Sequence, residues 1–100
     1  MGLAEIRDSR HAAVLAGAIE ATRKYGYRNF TRDSVARFAN VANGTVNHAF
    51  GTMAALRDAV MREAIEKEML DIIAQGLADG HEMARNAPPK LRQKAAYALA

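Results

Sequence analysis

Residues 31–50 read TRDSVARFANVANGTVNHAF, and this stretch decides the fold. Thr31 carries the side-chain oxygen that caps a helix N-terminus, and Asp33 falls in the first turn, where the helix dipole favours an anion. Together they predict a short helix over residues 32–39, with Val35, Phe38 and Ala39 turned inward by their spacing. Ala36 is small where this helix and the one that follows it cross closely. Asn40 then interrupts, because Asn enters left-handed backbone far more readily than most residues and turns the chain sharply. A second short helix follows, from Ala42 or Asn43 to Phe50, pinned through Val41 and Val46 with Phe50 closing the same face.

Working outward, Ser9 is a plausible cap for a first helix reaching Tyr25, on which Leu15, Ala18, Ile19 and Thr22 share one face. Gly26 ends it as a left-handed C′ residue, with Tyr27 as an apolar anchor. Downstream, Gly51 and Thr52 break the chain, and Thr52 caps a long fourth helix from Met53 to Ala78. Gly80 ends that helix. Asn86-Ala87-Pro88-Pro89 reads as a hinge, since neither Pro fits inside a helix. Lys90–Leu99 forms a final basic helix. The expected architecture is all-α: a three-helix bundle, then a long fourth helix and a short C-terminal helix. Residues 1–52 form the first unit and residues 53–100 the second.

Composition narrows the function. The chain has 100 residues and no Cys, which leaves room for one small domain and excludes disulfides, thiolate metal sites and Cys nucleophiles. No apolar run is long enough for a bilayer, and the first residues lack the order of a signal peptide, so a cytoplasmic protein without membrane contact is expected. Charge is uneven: the net +3 divides into a basic front, an acidic middle and a basic tail. No acid, base, nucleophile or metal-ligand set clusters in the sequence, so neither an enzyme nor a cofactor is expected. His81 and Glu82 are adjacent and point in different directions on a helix.

Two short helices joined by a tight turn form a helix-turn-helix, whose second helix enters the DNA major groove. That groove is ~12 Å wide and admits one α-helix with a short polar face. Asn43, Gly44, Asn47 and His48 meet this requirement and are the candidate base contacts. Asn pairs bidentately with adenine, and Gly lets the backbone approach closely. Thr31 and Thr45 are candidate phosphate donors. Arg28, Arg32, Arg37 and Lys24 would supply the salt-dependent phosphate attraction.

The sequence here resembles the N-terminal DNA-binding domain of the tetracycline-repressor (TetR) family. The resemblance runs from Val14 to Val60 and is carried by Val14-Leu15, Ala18, Gly26-Tyr27, Phe30-Thr31, Val35-Ala36, Ala39, Val41, Gly44-Thr45, Phe50 and Leu56. It implies that Asn43 to His48 lie in the major groove and that Thr31 and Thr45 contact the DNA backbone. The chain departs from the family pattern in four places. Asn40 stands for a usual Gly, Ala42 for a Ser or Thr cap, Asn47 for a Tyr and Met53 for a Lys. The missing cap should weaken the start of the recognition helix by about 0.5–2 kcal/mol unless Asn43 takes over. Residues 61–100 are too few for the family's usual inducer pocket, so no small-molecule effector is expected.

The apolar surface of the fourth helix exceeds what one small domain needs. Met61, Ile65, Met69, Ile72 and Ile73 are therefore the candidate homodimer interface. The resulting expectation is a sequence-specific transcriptional regulator, a repressor that binds a near-palindromic operator in double-stranded DNA as a homodimer. The alternative is a helical protein-interaction module that keeps the fold but uses the fourth helix to bind another protein.

Overall fold

The computed structural model describes residues 3–98, with side chains described from Ser9 onward. These residues form seven helices and no strand: α1 (Leu3–Tyr25), α2 (Arg32–Ala39), α3 (Asn43–Phe50), α4 (Met53–Glu66), α5 (Leu70–Ala78), α6 (Glu82–Arg85) and α7 (Pro89–Ala98). The all-α class and both helices of the helix-turn-helix follow the sequence reading. α1 begins ahead of the expected Ser9 cap, because residues 3–8 are mostly good helix formers that extend the helix past it.

α1 is the spine of the N-terminal half. Val14, Ala18, Ala21 and Thr22 are fully buried along it, and the buried Thr22 hydroxyl donates to the Ala18 carbonyl at 2.8 Å. α2 crosses α1 at Gly17, where a Cβ would stand 2.8 Å from the Ala39 backbone nitrogen and 2.9 Å from the Val35 carbonyl oxygen. Gly17 is thus the residue that permits the close approach of α1 and α2.

Gly26 ends α1 at φ +98°, and the loop behind it is anchored rather than loose. Tyr27 and Phe30 are buried. The Tyr27 hydroxyl donates to the Arg57 carbonyl at 2.8 Å, and Arg57 Nη2 donates back to the Phe30 carbonyl at 3.1 Å. The Arg57 guanidinium lies 4.8 Å from the centre of the Phe30 ring, a cation–π contact. Loop and α4 are therefore latched from both sides.

The expected helix from Met53 to Ala78 is two helices, and this corrects the sequence reading. α4 stops at Glu66, and Glu68 adopts left-handed backbone at φ 53°. The Met69 N–H reaches back to the Ala64 carbonyl at 2.7 Å and the Glu68 N–H to Ile65 at 3.3 Å. This pair of bonds is a Schellman ending, which satisfies carbonyls that the helix would leave unpaired. α5 then packs against α4 instead of extending it, and Met61, Ile72 and Ile73 become fully buried. Burying a side chain of that size contributes about 1.5–3 kcal/mol.

Gly76 of α5 makes room for the Met61 methyl group and the Ala84 side chain. His81 caps α6 through Nδ1, which accepts from the Met83 N–H at 3.1 Å, and its Nε2 meets Asp58 Oδ1 at 3.0 Å. The expected hinge at residues 86–89 is a docked turn. Ala87 is buried, and the Pro88 carbonyl accepts from the Leu91 and Arg92 N–H groups. Pro89 is the first residue of α7, where its missing N–H costs nothing. Leu91 and Ala95 turn inward, and one continuous core links all parts of the described chain.

Candidate nucleic-acid interface

Thr31 opens α2 with a reciprocal cap. Its Oγ1 accepts from the Ser34 N–H at 3.2 Å, and Ser34 Oγ accepts from the Thr31 N–H at 2.9 Å. The Thr31 hydroxyl proton is left to donate outward. α2 ends at Asn40, which is left-handed at φ 58° and ψ 47°. The Val41 N–H then returns to the Ala36 carbonyl at 3.0 Å and the Asn40 N–H to Arg37 at 3.2 Å. The turn is a second Schellman ending, and it swings the chain directly into α3.

α3 starts at Asn43 after Ala42, which makes no side-chain cap. Asn43 does not take over the capping role. Its Nδ2 donates instead to the Asp33 carboxylate across the turn. Val46 fixes the inner side of α3 at 3% exposure, and Phe50 stacks on His11 with ring centres 4.2 Å apart. Asn43, Gly44, Asn47 and His48 are all exposed, and Thr45 is half-buried. The four candidate base contacts are thus brought together on one short polar face. A Cβ added at Gly44 would meet nothing within 4 Å, so protein packing gives no reason for a glycine there.

The candidate phosphate contacts are less uniform. Arg37 is exposed beside Thr31 and Ser34, around the same shallow depression. Arg32 has its Nε buried with no hydrogen-bond partner among the described residues. The Lys24 ammonium sits 5.5 Å from the centre of the Tyr25 ring and 5.9 Å from that of Phe38. Phe38 was expected inside but is 40% exposed. Val35 and Ala36 take the inward face of α2, and Phe38 packs edge-on against Tyr25 at 6.5 Å. Arg28 is drawn away from the group by an ion pair with Asp79 at 2.7 Å.

A similar pair ties Arg23 to Asp71 at 3.0 Å. Partial burial alone would raise the Asp71 carboxyl, but the Arg23 hydrogen bond and charge, with backbone N–H donors, outweigh it and hold the group below its ordinary value. The Tyr27 phenol moves the other way. Burial first, and then the Asp58 charge, push it well above the usual tyrosine range. The acidic middle of the chain therefore neutralises part of its own basic front.

The candidate dimer residues do not form one stripe, because the break after Glu66 redirects them. Met61, Ile72 and Ile73 have 0% exposure within the single chain, so their side chains are enclosed in its own core and are not available to a second copy. Ile65 and Met69 remain half-buried in different grooves. Ile65 lies with Met83 and Pro88 in one of about 540 Å³, and Met69 with Leu15 and Ile19 in one of about 550 Å³. Sequence reasoning missed the Arg57 latch, the Asp33–Asn43 contact and the role of His81. Arg57 meets Tyr27 and Phe30, and His81 meets Asp58, across more than twenty residues, while Asp33 and Asn43 meet only once the turn at Asn40 has folded. Among the described residues, no group of three or more His, Asp or Glu is placed to hold a metal. No described helix is long and apolar enough to cross a membrane.

Comparison with known proteins agrees with this geometry. Residues 14–60 match the family model described as bacterial regulatory proteins, tetR family. No curated protein and no solved structure is similar enough to count as a match. The matched stretch runs from the core of α1 through the helix-turn-helix to Val60 on α4. Residues 14–60 thus match the N-terminal helix-turn-helix domain of the tetR family of bacterial regulatory proteins.

Proposed function

We propose that the protein is a sequence-specific transcriptional repressor that acts in the cytoplasm as a homodimer on a near-palindromic DNA site. The observation that carries this reading is the outer face of α3. It is short, polar and exposed, and it holds a glycine with open space where a Cβ would stand. Glycine disfavours a helix by about 1 kcal/mol relative to alanine. With no packing demand at Gly44, close approach of a ligand to the backbone accounts for it.

On this reading Asn43, Gly44, Asn47 and His48 meet base edges in the major groove. Thr31, Thr45, Arg32, Arg37 and Lys24 hold phosphates. Arg28 joins them only by leaving Asp79. Two copies place their recognition helices ~34 Å apart, one DNA turn, and read the two half-sites. They associate through surface the single chain leaves half-buried, which includes Ile65 and Met69. Occupancy of the site blocks the promoter beneath it.

Selection of bound duplexes from a random pool tests the proposal, followed by a salt titration on the recovered site and on unrelated duplex. The expected result is a two-fold-related site, with affinity falling steeply as salt rises. A folded protein that binds no duplex even at ~50 mM salt would overturn it.

A further inference from the structure

We propose that Asp33 is a positioning residue for base reading, which holds the Asn43 carboxamide in the orientation that reads adenine and rejects guanine. The inference rests on the DNA-reading role of α3 given above. Asp33 is exposed on α2 and Asn43 is the first residue of α3, and Nδ2 of Asn43 donates to Oδ1 of Asp33. A carboxylate accepts hydrogen bonds and donates none, so the amide nitrogen must face it and the flipped amide is excluded.

The chemistry of the remaining atoms sets the specificity. Nδ2 carries two N–H groups. Adenine presents N7 as an acceptor and N6 as a donor in the major groove. Asn matches that pair with the N–H on the same side as Oδ1 and with Oδ1 itself. The other N–H points away from the base, and it is the one left for Asp33, so both bonds form together. Guanine presents two acceptors, N7 and O6. Reading it takes N–H groups alone, and Asp33 already holds one of them while Oδ1 would face O6. Asp33 therefore works against the wrong base as well as for the right one. It also carries a negative charge beside the DNA, which opposes binding to every sequence alike.

These two effects have opposite signs, and that separates positioning from general structural support. The probe is the duplex recovered from a random pool by the unaltered protein, with each adenine of a half-site changed in turn to guanine. D33A should bind unrelated duplex more tightly but lose about five- to tenfold of adenine-over-guanine discrimination at one position. N43A should lose discrimination at that same position, and D33A/N43A should lose no more than N43A alone. D33N should restore it only in part, because its Oδ1 can accept the same N–H, but its own NH2 can equally donate to the flipped Asn43 amide. Without DNA, one of the two Asn43 side-chain N–H resonances should move in D33A and return partway in D33N. If D33A discriminates as well as the unaltered protein, or loses discrimination evenly at all positions, the role of Asp33 falls while DNA reading stands. If the unaltered protein recovers no site from the pool, both fall.

Discussion

Gly17 and Gly44 are both helical glycines, and replacing each by alanine should move stability in opposite directions. Alanine is favoured over glycine inside a helix by about 1 kcal/mol, which applies in some measure to both. At Gly44 nothing within 4 Å opposes the new methyl group. G44A should therefore gain up to ~1 kcal/mol, less than the full amount because the residue lies in the first turn. At Gly17 the methyl group would stand 2.8 Å from the Ala39 nitrogen and 2.9 Å from the Val35 carbonyl oxygen. Those are backbone atoms of α2, which cannot swing aside as a flexible side chain would. Forcing the two helices apart costs about 1–3 kcal/mol. The net expectation for G17A is a loss of up to ~2 kcal/mol after the gain in helix preference is set against it. For a chain of this size, 1 kcal/mol moves the melting midpoint by about 4–8 °C. Thermal and urea melts followed by circular dichroism will read both variants. G17A melting above the unaltered protein would refute the close crossing of α1 and α2. Loss of DNA affinity in the stabilised G44A variant would separate the functional demand at that position from folding.

Adding the missing cap with A42S should stabilise the fold by about 0.5–2 kcal/mol, and a urea melt that shows no gain would mean the α3 N-terminus is already satisfied. Y27F removes the donor to the Arg57 carbonyl and should cost about 1 kcal/mol. The Tyr27 phenol titrates above its ordinary value of 10.0 in the folded chain, so this cost should hold steady up to that pH. As pH rises further, ionisation favours the unfolded chain and stability falls, a decline that Y27F should lack. Asp71 has the opposite sign. Its folded value lies below the ordinary 3.8, so its contribution is present above that pH and disappears as pH falls through the folded value. The pair is half exposed, so D71N should cost no more than ~1 kcal/mol at neutral pH, and the difference from the unaltered protein should vanish in acid melts.

Local chemistry made the helix-turn-helix legible. Thr31, Gly26 and Asn40 each act through groups within a few residues, so caps and turns could be read from neighbours alone. The break between α4 and α5 carries no such mark. Glu68 is neither Gly nor Asn, yet it takes the left-handed position, and Ile65, Met69, Ile72 and Ile73 keep helical spacing straight through the bend. Periodicity reports which residues are apolar on a continuous helix, not whether the helix continues. The dimer stripe was misread for that reason, since a folded-back helix buries in its own core what a straight one would present to a partner. Phe38 failed differently. Its spacing suited burial, but the close approach at Gly17 brings α1 against Val35 and Ala39 and leaves Phe38 at the edge. The Asp33–Asn43 contact joins two polar residues whose spacing has no meaning until the turn at Asn40 folds them together.

The Tyr27 backbone N–H donates to the Gln75 side chain at 2.7 Å, a bond between the loop before the helix-turn-helix and a helix far along the chain. Hydrogen exchange at that amide consequently does not report fraying of its own loop alone. The proton is released when the loop opens, when Gln75 turns away or when α5 lifts, so its exchange rate sets a lower bound on the free energy of undocking α5. The N-terminal domain thus carries, at a single amide, a floor on how firmly α5 is seated against it.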